Sequence, residues 1–237
     1  MARFYIDQTL NPGSEIALPG NIIQHLNVLR LKSTQAITLF NGNGKSYTAK
    51  IISLERRNCL VTIEKQDLLP STNKIKLNLA LSIIAGDKMD LAIRSATELG
   101  ITTITPIISS YSQKLASNRL ENRMEHWQKV ILSGCEQSGQ NIIPSIVAPV
   151  SFQDFVTTSQ GGKFILSLSE GETMFHNKQF QAFENINLLI GPEGGFTVNE
   201  VSLAIDSGYI AIRPWNNILR AETAVIAGIS LILNNLH

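Results

Sequence analysis

The sequence predicts an α/β protein in two parts: a small N-terminal β-barrel over residues 1–70 and a larger domain over residues 74–237 built on a mostly parallel sheet. Three observations predict it. Short alternating apolar segments separated by turn residues fill the first third of the chain. From Ile75 the rhythm changes to strands alternating with helical periods, the mark of a parallel sheet with helices on its faces. In the last third, Ile190-Gly191-Pro192-Glu193-Gly194-Gly195-Phe196 lies between an apolar strand and a helix start, where α/β domains build ligand sites at the carboxyl edge of the sheet.

The elements follow in order. Residues Met1 to Asp7 read as a strand. Asn21 is placed to cap a short helix with Ile22, Ile23, Leu26 and Leu29 at helical spacing. Ala36–Phe40 and Lys45–Ile52 flank Asn41-Gly42-Asn43-Gly44, a hairpin signal because Asn and Gly accept positive φ. Cys59–Lys65 alternates as a strand, and Leu69–Asn73 has the composition of a linker. Leu77–Ile84 is a strand, Asp87–Leu99 a helix stopped by Gly100, and Ile101–Ile108 a strand. Arg119 to Gln137 forms a long helix with Trp127, Val130 and Ile131 on its apolar side. Ser151 and Asp154 cap a helix reaching Val156. Phe164–Leu168, Asn187–Ile190 and Tyr209–Ile212 are further strands. Thr197 and Glu200 have the spacing of a capping box. Glu222–Leu233 is apolar nearly all round, as expected of a helix buried in a core or a subunit interface.

Bulk properties narrow the function. Hydrophobic content of 43% and charged content of 16% describe a folded globular chain. No apolar run approaches the ~20 residues of a membrane helix, so no membrane association is expected. Met1–Asp7 lacks the apolar core of a signal peptide, and Cys59 and Cys135 form neither a disulfide framework nor a metal-ligand spacing. These features point to the cytoplasm. Residues 1–70 carry a balance of +3 and residues 71–237 one of −2, a weak indication of nucleic acid as partner of the small domain. His126 and His176 have no second ligand in register, so no metal is expected, and His25 reads as a surface histidine.

The glycine loop is not a P-loop, since no Gly-Lys-Ser/Thr follows it. Nor is it a dinucleotide fingerprint, which opens the first βαβ unit and makes a nicotinamide oxidoreductase the least favoured reading. Taken alone it is as well explained by a tight turn. A second loop, Pro214-Trp215-Asn216-Asn217-Ile218-Leu219, then leads into Arg220-Ala221-Glu222-Thr223-Ala224. Loops after successive parallel strands emerge on one edge, so these two segments and Leu168-Ser169-Glu170-Gly171 are placed to line one pocket. Arg220 and Glu222 read either as part of that site or as a surface charge and a favourable N-terminal acid.

Leu-Leu-Ile-Gly-Pro-Glu-Gly-Gly-Phe, followed some twenty residues later by Ile-Leu-Arg-Ala-Glu-Thr-Ala, resembles the RsmE family of SPOUT-class 16S rRNA (uracil-N3)-methyltransferases. The resemblance spans almost the whole chain: Arg3-Phe4-Tyr5, Val28–Lys32, Lys88-Met89-Asp90, Ala96–Gly100, Trp127 and Cys135–Gly139 also match. It implies an N-terminal PUA-like β-barrel followed by a SPOUT α/β-knot domain tied in a C-terminal deep trefoil knot. It implies a homodimer, S-adenosyl-L-methionine as cofactor and N3 of a uridine in the decoding region of 16S rRNA as target, within the small ribosomal subunit. The cofactor-binding positions so implied are Leu168, Ile190, Gly191, Glu193, Gly194, Gly195, Ile218, Leu219, Thr223 and Ala224. Arg220, Glu222 and Glu136 are the catalytic candidates: the cation to stabilise charge on the uracil oxygens, Glu222 first and Glu136 second to accept the N3 proton. Arg3, Arg30 and Lys32 are the candidate RNA contacts.

The chain departs from the family pattern at Trp215, Asn217, Gln140, Arg94 and Tyr111, removing basic residues expected on the RNA side while scarcely touching the cofactor loops. Arg94 is placed to pair with Asp90 and Glu98. These departures keep open a second reading, an RNA-binding assembly factor of the same fold that has lost catalysis, and a methyltransferase with a different RNA target.

Overall fold

The structure, a computed structural model, describes residues 1–67, 75–115, 117–167, 180 and 183–236. The linker expected at Leu69–Asn73, the loop Leu168–Gly171 and His176 lie outside the described residues. The chain divides into two compact units, Met1–Thr72 with Cys135–Ile143, and Asn73–Gly134 with Pro144–His237.

In the first unit a mixed sheet takes the order β1-β3-β4-β5-β2, formed by Arg3–Tyr5 (β1), Glu15–Ala17 (β2), Ala36–Phe40 (β3), Ser46–Leu54 (β4) and Cys59–Gln66 (β5). Strands β1 and β3 pair parallel, and the other pairs are antiparallel. Two register shifts in β4 bend it at Thr48/Ala49 and Ile51/Ser53. Period-two burial sends Ile37, Leu39, Ile51, Val61 and Ile63 inward, where Phe4 and the helix Gly20–Val28 (α1) meet them.

Two details of α1 differ from expectation. Its N-cap is Pro19, extended and without a side-chain cap, so Asn21 lies inside the first turn. Pro fixes the φ that starts the helix and needs no donor of its own. Leu29 is 46% exposed, because the helix has ended and the chain turns under it. The ending is a Schellman turn: the Arg30 amide donates to Asn27 O (3.1 Å) and that of Leu31 to Leu26 O (3.1 Å). The same turn ends two helices of the second unit with Gly100 and Gly208 in the left-handed position. Here Arg30 occupies it, at φ 52, and Thr34 four residues on has φ 75. Side chains in this region cost about 1–2 kcal/mol each.

The second unit carries one parallel sheet, ordered β12-β10-β11-β6-β7-β8, with β9 also on β7. Its strands are Lys76–Ser82 (β6), Thr103–Ile108 (β7), Ser145–Ile146 (β8), Val150–Ser151 (β9), Gly162–Leu166 (β10), Asn185–Ile190 (β11) and Ile210–Ile212 (β12). Its helices are Gly86–Glu98 (α2), Leu120–Ser138 (α3, entering the first unit at Cys135), Phe152–Thr158 (α4), Val198–Asp206 (α5) and Ala221–Asn234 (α6). The central strands read as continuous apolar runs because helices cover both faces. At the amino edge of the sheet a polar ladder crosses three strands: Thr105 Oγ1 donates to Asn78 Oδ1 (3.1 Å), Asn78 Nδ2 to Asn187 Oδ1 (2.8 Å), and Asn187 Nδ2 to Gln160 O (2.7 Å). Helix α6 lies close on the sheet at Gly228, where a Cβ would come within 3.1 Å of Leu188. Its far side is not sealed, since Ile226 is 39% exposed.

Candidate cofactor cleft

At the carboxyl edge of the sheet, the ends of β10, β11 and β12 and the start of α6 enclose a cleft of about 600 Å3 including its open mouth. Its floor is Leu166, Ile190 and Ile212, and α6 contributes Ala221 and Ala224. The glycine loop forms one wall. Its tightness is built from backbone: the Gly195 amide donates to Pro192 O (2.8 Å), and Gly195 has φ 68. A Cβ on Gly191 would stand 3.1 Å from the carbonyl carbon of Gly195 and 3.2 Å from its Cα, so the two loop ends touch only because neither carries a side chain. The loop is anchored beyond the turn by Glu200. One of its carboxylate oxygens completes the capping box with Thr197 (2.8 Å), and the other accepts from the Ser110 amide (2.8 Å).

Of the expected cofactor positions, Ile190, Gly191, Glu193, Gly195, Ile218, Leu219 and Ala224 line the cleft. Gly194 does not; it is covered by Tyr111, whose Cβ lies 3.3 Å from where a Gly194 Cβ would be. Thr223 is exposed and outside the lining, because helical spacing puts residues 221 and 224 on the cleft face and 223 off it. Leu168 lies outside the described residues. Sequence reasoning missed Ser167 and Arg213, which have no motif of their own and are placed by the strand ends, whereas Pro214 belongs to the loop expected to line the pocket. Trp215 and Asn217 line this cleft, as expected of the loop that carries them.

A group of four charges stands beside the loop. Lys88 Nζ, from the first turn of α2, donates to Glu193 Oε1 at 2.7 Å. That hydrogen bond holds the Glu193 carboxyl below its ordinary value and raises the Lys88 ammonium, which also feels Glu222 and, with opposite sign, Arg220. Arg220 is the exposed N-cap residue of α6 and makes no side-chain cap. Glu222 is 8% exposed and does not line the cleft; its Oε2 is buried with no partner among the described residues. A buried carboxylate oxygen without a donor is costly to maintain unless another group completes it.

The remaining candidates belong to the first unit. Arg3 is engaged there: Nη2 donates to Gln140 O (2.9 Å) and to Asn141 Oδ1, and the guanidinium stacks on Phe40 at 4.4 Å. Burial lowers its pKa from the ordinary arginine value. Gln140 serves Arg3 through its carbonyl, which any residue supplies. Glu136 Oε1 accepts from the Tyr5 amide (3.0 Å), and Glu136 is absent from the cleft lining. Arg30 and Lys32 are both exposed. His25 packs edge-on to Phe4. In the second unit, Arg94 is exposed and makes none of the expected ion pairs; Asp90 is taken instead by His126 (2.7 Å), because α3 brings the imidazole to α2. Among the described residues no cluster of His, Cys, Asp and Glu could hold a metal ion, and no helix is long and apolar enough to cross a membrane.

The fold and cleft define a class. Residues 71–233 match the RNA methyltransferase domain family, and residues 18–64 match the RNA methyltransferase PUA domain. The chain is 34% identical to the ribosomal RNA small subunit methyltransferase E of Rickettsia conorii, over 97% of this chain and 94% of that protein. The crystal structure of the corresponding Neisseria gonorrhoeae enzyme bound to S-adenosyl methionine superposes with a TM-score of 0.90 at 33% identity, covering 99% of this chain and 97% of that one. A Legionella pneumophila methyltransferase in complex with the same cofactor gives a TM-score of 0.88 at 29% identity, covering 98% and 97% of the two chains. The protein therefore belongs to the RNA methyltransferases that join a PUA-like domain to a SPOUT domain. Within them it is a member of the ribosomal RNA small subunit methyltransferase E family.

Proposed function

We propose that this chain methylates N3 of a uridine in the decoding region of 16S rRNA, using S-adenosylmethionine, as a cytoplasmic homodimer. The cleft between the glycine loop and the start of α6 carries the reading. Its walls are mainly apolar side chains and backbone, suited to a nucleoside, and the Gly191–Gly195 approach makes a surface that side chains would fill. The two relatives of known structure named above hold the same cofactor. The trefoil knot belongs to this reading, as does a division of labour between an RNA-binding barrel at 1–70 and a catalytic domain at 74–237.

S-adenosylmethionine supplies an electrophilic methyl group when bound. The chain has to align the base and remove the proton from N3, since an imide nitrogen is a weak nucleophile while protonated. Glu222 is assigned as the proton acceptor, because its Oε2 has no donor to satisfy it among the described residues. Arg220, exposed at the N-cap of α6, is assigned to the uracil oxygens, where negative charge grows. The ion pair between Lys88 and Glu193 positions the loop. Arg30 and Lys32 are assigned to RNA phosphates. The left-handed Arg30 supports this, since a glycine would adopt that conformation at no steric cost.

The test uses small ribosomal subunits from cells lacking the enzyme, incubated with this protein and labelled cofactor. Nucleoside mass spectrometry is expected to find 3-methyluridine. Cofactor binding without any methyl incorporation would instead favour the inactive assembly factor, and label in another nucleoside would favour another target.

A further inference from the structure

A second cavity opens at the carboxyl edge of the same unit, apart from the cleft lining. It spans about 340 Å3 including its open mouth and lies at the amino end of α2, bounded by Ala85, Gly86, Lys114, Arg123 and Trp127. Four features give it one chemical character.

The first is the helix end. The N-cap of α2 is Ala85, which has no side-chain acceptor, so the amides of the first turn point outward without a cap. A 13-residue helix concentrates partial positive charge there. The second is Trp127, which is 1% exposed and forms part of the cavity wall. Its indole Nε1 is buried and has no partner among the described residues. A buried donor left without an acceptor costs about 1–3 kcal/mol, a penalty that an anion in the cavity would remove.

The third is Arg123, one helical turn before Trp127 on the same face of α3. It is half-buried and makes no ion pair or hydrogen bond among the described residues. Its Nη1 lies over Gly86, at 3.3 Å from where a Cβ would be, so the guanidinium rests on the helix end only because residue 86 has no side chain. The fourth is charge. Lys114 is in the wall, and Arg123 continues into an adjoining groove shared with Arg119 and His126. Among the described residues no carboxylate lines either cavity. The nearest acids on α2 are Asp87, which is exposed, and Asp90, which is held by His126.

We propose that this cavity takes a phosphate group of the substrate RNA backbone, held by the first-turn amides of α2, the Trp127 indole N–H and the Arg123 guanidinium, with Lys114 and Arg119 at its rim. Helix amides with a guanidinium form the pairing that recognises a phosphate oxygen set. The site rests on the RNA-methyltransferase reading for its physiological ligand. It also puts positive charge for RNA on α3, in a chain where Tyr111, Gln140 and Asn217 stand at positions expected to be basic.

Two measurements test the site separately from the reading. Inorganic phosphate is titrated at constant ionic strength into the 15N-labelled full chain, and the two indole N–H resonances are followed, with Trp215→Phe assigning them. The Trp127 signal is expected to shift saturably, and Arg123→Ala to abolish the shift while leaving cofactor affinity within twofold. An unsaturable shift, or one unchanged in Arg123→Ala, overturns the site. Binding of a small-subunit RNA fragment is then measured against salt. The double variant Arg119→Ala/Arg123→Ala is expected to weaken it about tenfold at 0.15 M salt and to lower the slope of log K against log salt by about 1.4, with Arg123→Lys recovering most of the loss. An unchanged slope overturns the RNA assignment. If the wild type methylates no RNA at all, the functional reading fails, and the phosphate titration still decides whether the cavity is an anion site.

Discussion

Helices α4 and α5 begin under side-chain caps, whereas α2 and α6 begin without one. Ser151 accepts from the Asp154 amide, and Thr197 and Glu200 close a reciprocal box. At α2 and α6 the N-cap residues are Ala85 and Arg220, neither of which caps by its side chain. Of these two ends, that of α6 opens on the cofactor cleft and that of α2 on the basic cavity, while a third uncapped start, at α1, follows Pro19. A capped helix end is a finished structural joint. An uncapped one keeps donors and a positive dipole end available to a ligand, at the expense of local stability.

The largest expected effect concerns the α6 side. Glu222→Gln keeps the shape of the buried side chain and removes its basicity, so kcat is expected to fall at least 100-fold, within the ~10²–10⁴ range of general-base loss. A kcat within threefold of wild type would remove Glu222 from the reaction. Next comes the loop: Gly191→Val drives a Cβ into the Gly195 backbone, and calorimetry should find cofactor affinity reduced about 10- to 100-fold, matching an overpacking cost of ~1–3 kcal/mol.

The caps themselves give smaller, opposed effects. Thr197→Ala should cost about 1 kcal/mol in urea unfolding. Ala85→Ser supplies the cap α2 lacks, at a residue already extended (φ −54, ψ 146), and should stabilise by about 0.5–1 kcal/mol while weakening phosphate binding in the second cavity. If the added cap stabilises the protein and leaves phosphate binding intact, the contrast between the two pairs is only structural.

The smallest effect is in pH. The Glu193 carboxyl lies below its ordinary 4.5, so its contribution is present above that pH and is lost as pH falls through the folded value. The Lys88 ammonium lies above its ordinary 10.5, so its contribution is present below that pH and is lost as pH rises through the folded value. The pair is therefore constant across neutrality. Thermal melts of Lys88→Met should differ slightly from wild type above pH 4.5 and converge on it as pH falls through the folded Glu193 value, by little because both groups are largely in water.

What was legible in the sequence was local. The hairpin at Asn41–Gly44, the caps at Ser151 and Thr197, the Gly100 stop and the glycine loop are each written within a few residues, and the structure forms them there. Three-residue β2 was missed because only its pairing with β5, over forty residues away, makes it a strand. Arg3 read as an RNA contact, and its bond to Gln140 O, across 137 residues, has no trace in composition or period. The cleft's glycines were visible as a motif, while Ser167 and Arg213 join it only through the register of β12 on β10. The basic cavity was hidden for a related reason. Trp127 reads simply as core, and nothing in a sequence tells that its N–H will lack an acceptor.

Both cysteines of the chain lie in the first unit, Cys59 at 3% exposure and Cys135 at 0%. Burial raises the Cys59 thiol and pushes that of Cys135 up to about 12. At neutral pH the reactive thiolate of Cys135 is then about one part in 10⁵, and a disulfide reagent meets sulfur only in molecules whose first unit has come apart. Labelling in non-denaturing buffer thus works as a stopwatch on opening. It counts the events that uncover Cys59, in the PUA-like unit, and Cys135, on the last turns of α3, and comparing the two sites separates loss of the barrel from fraying of that helix.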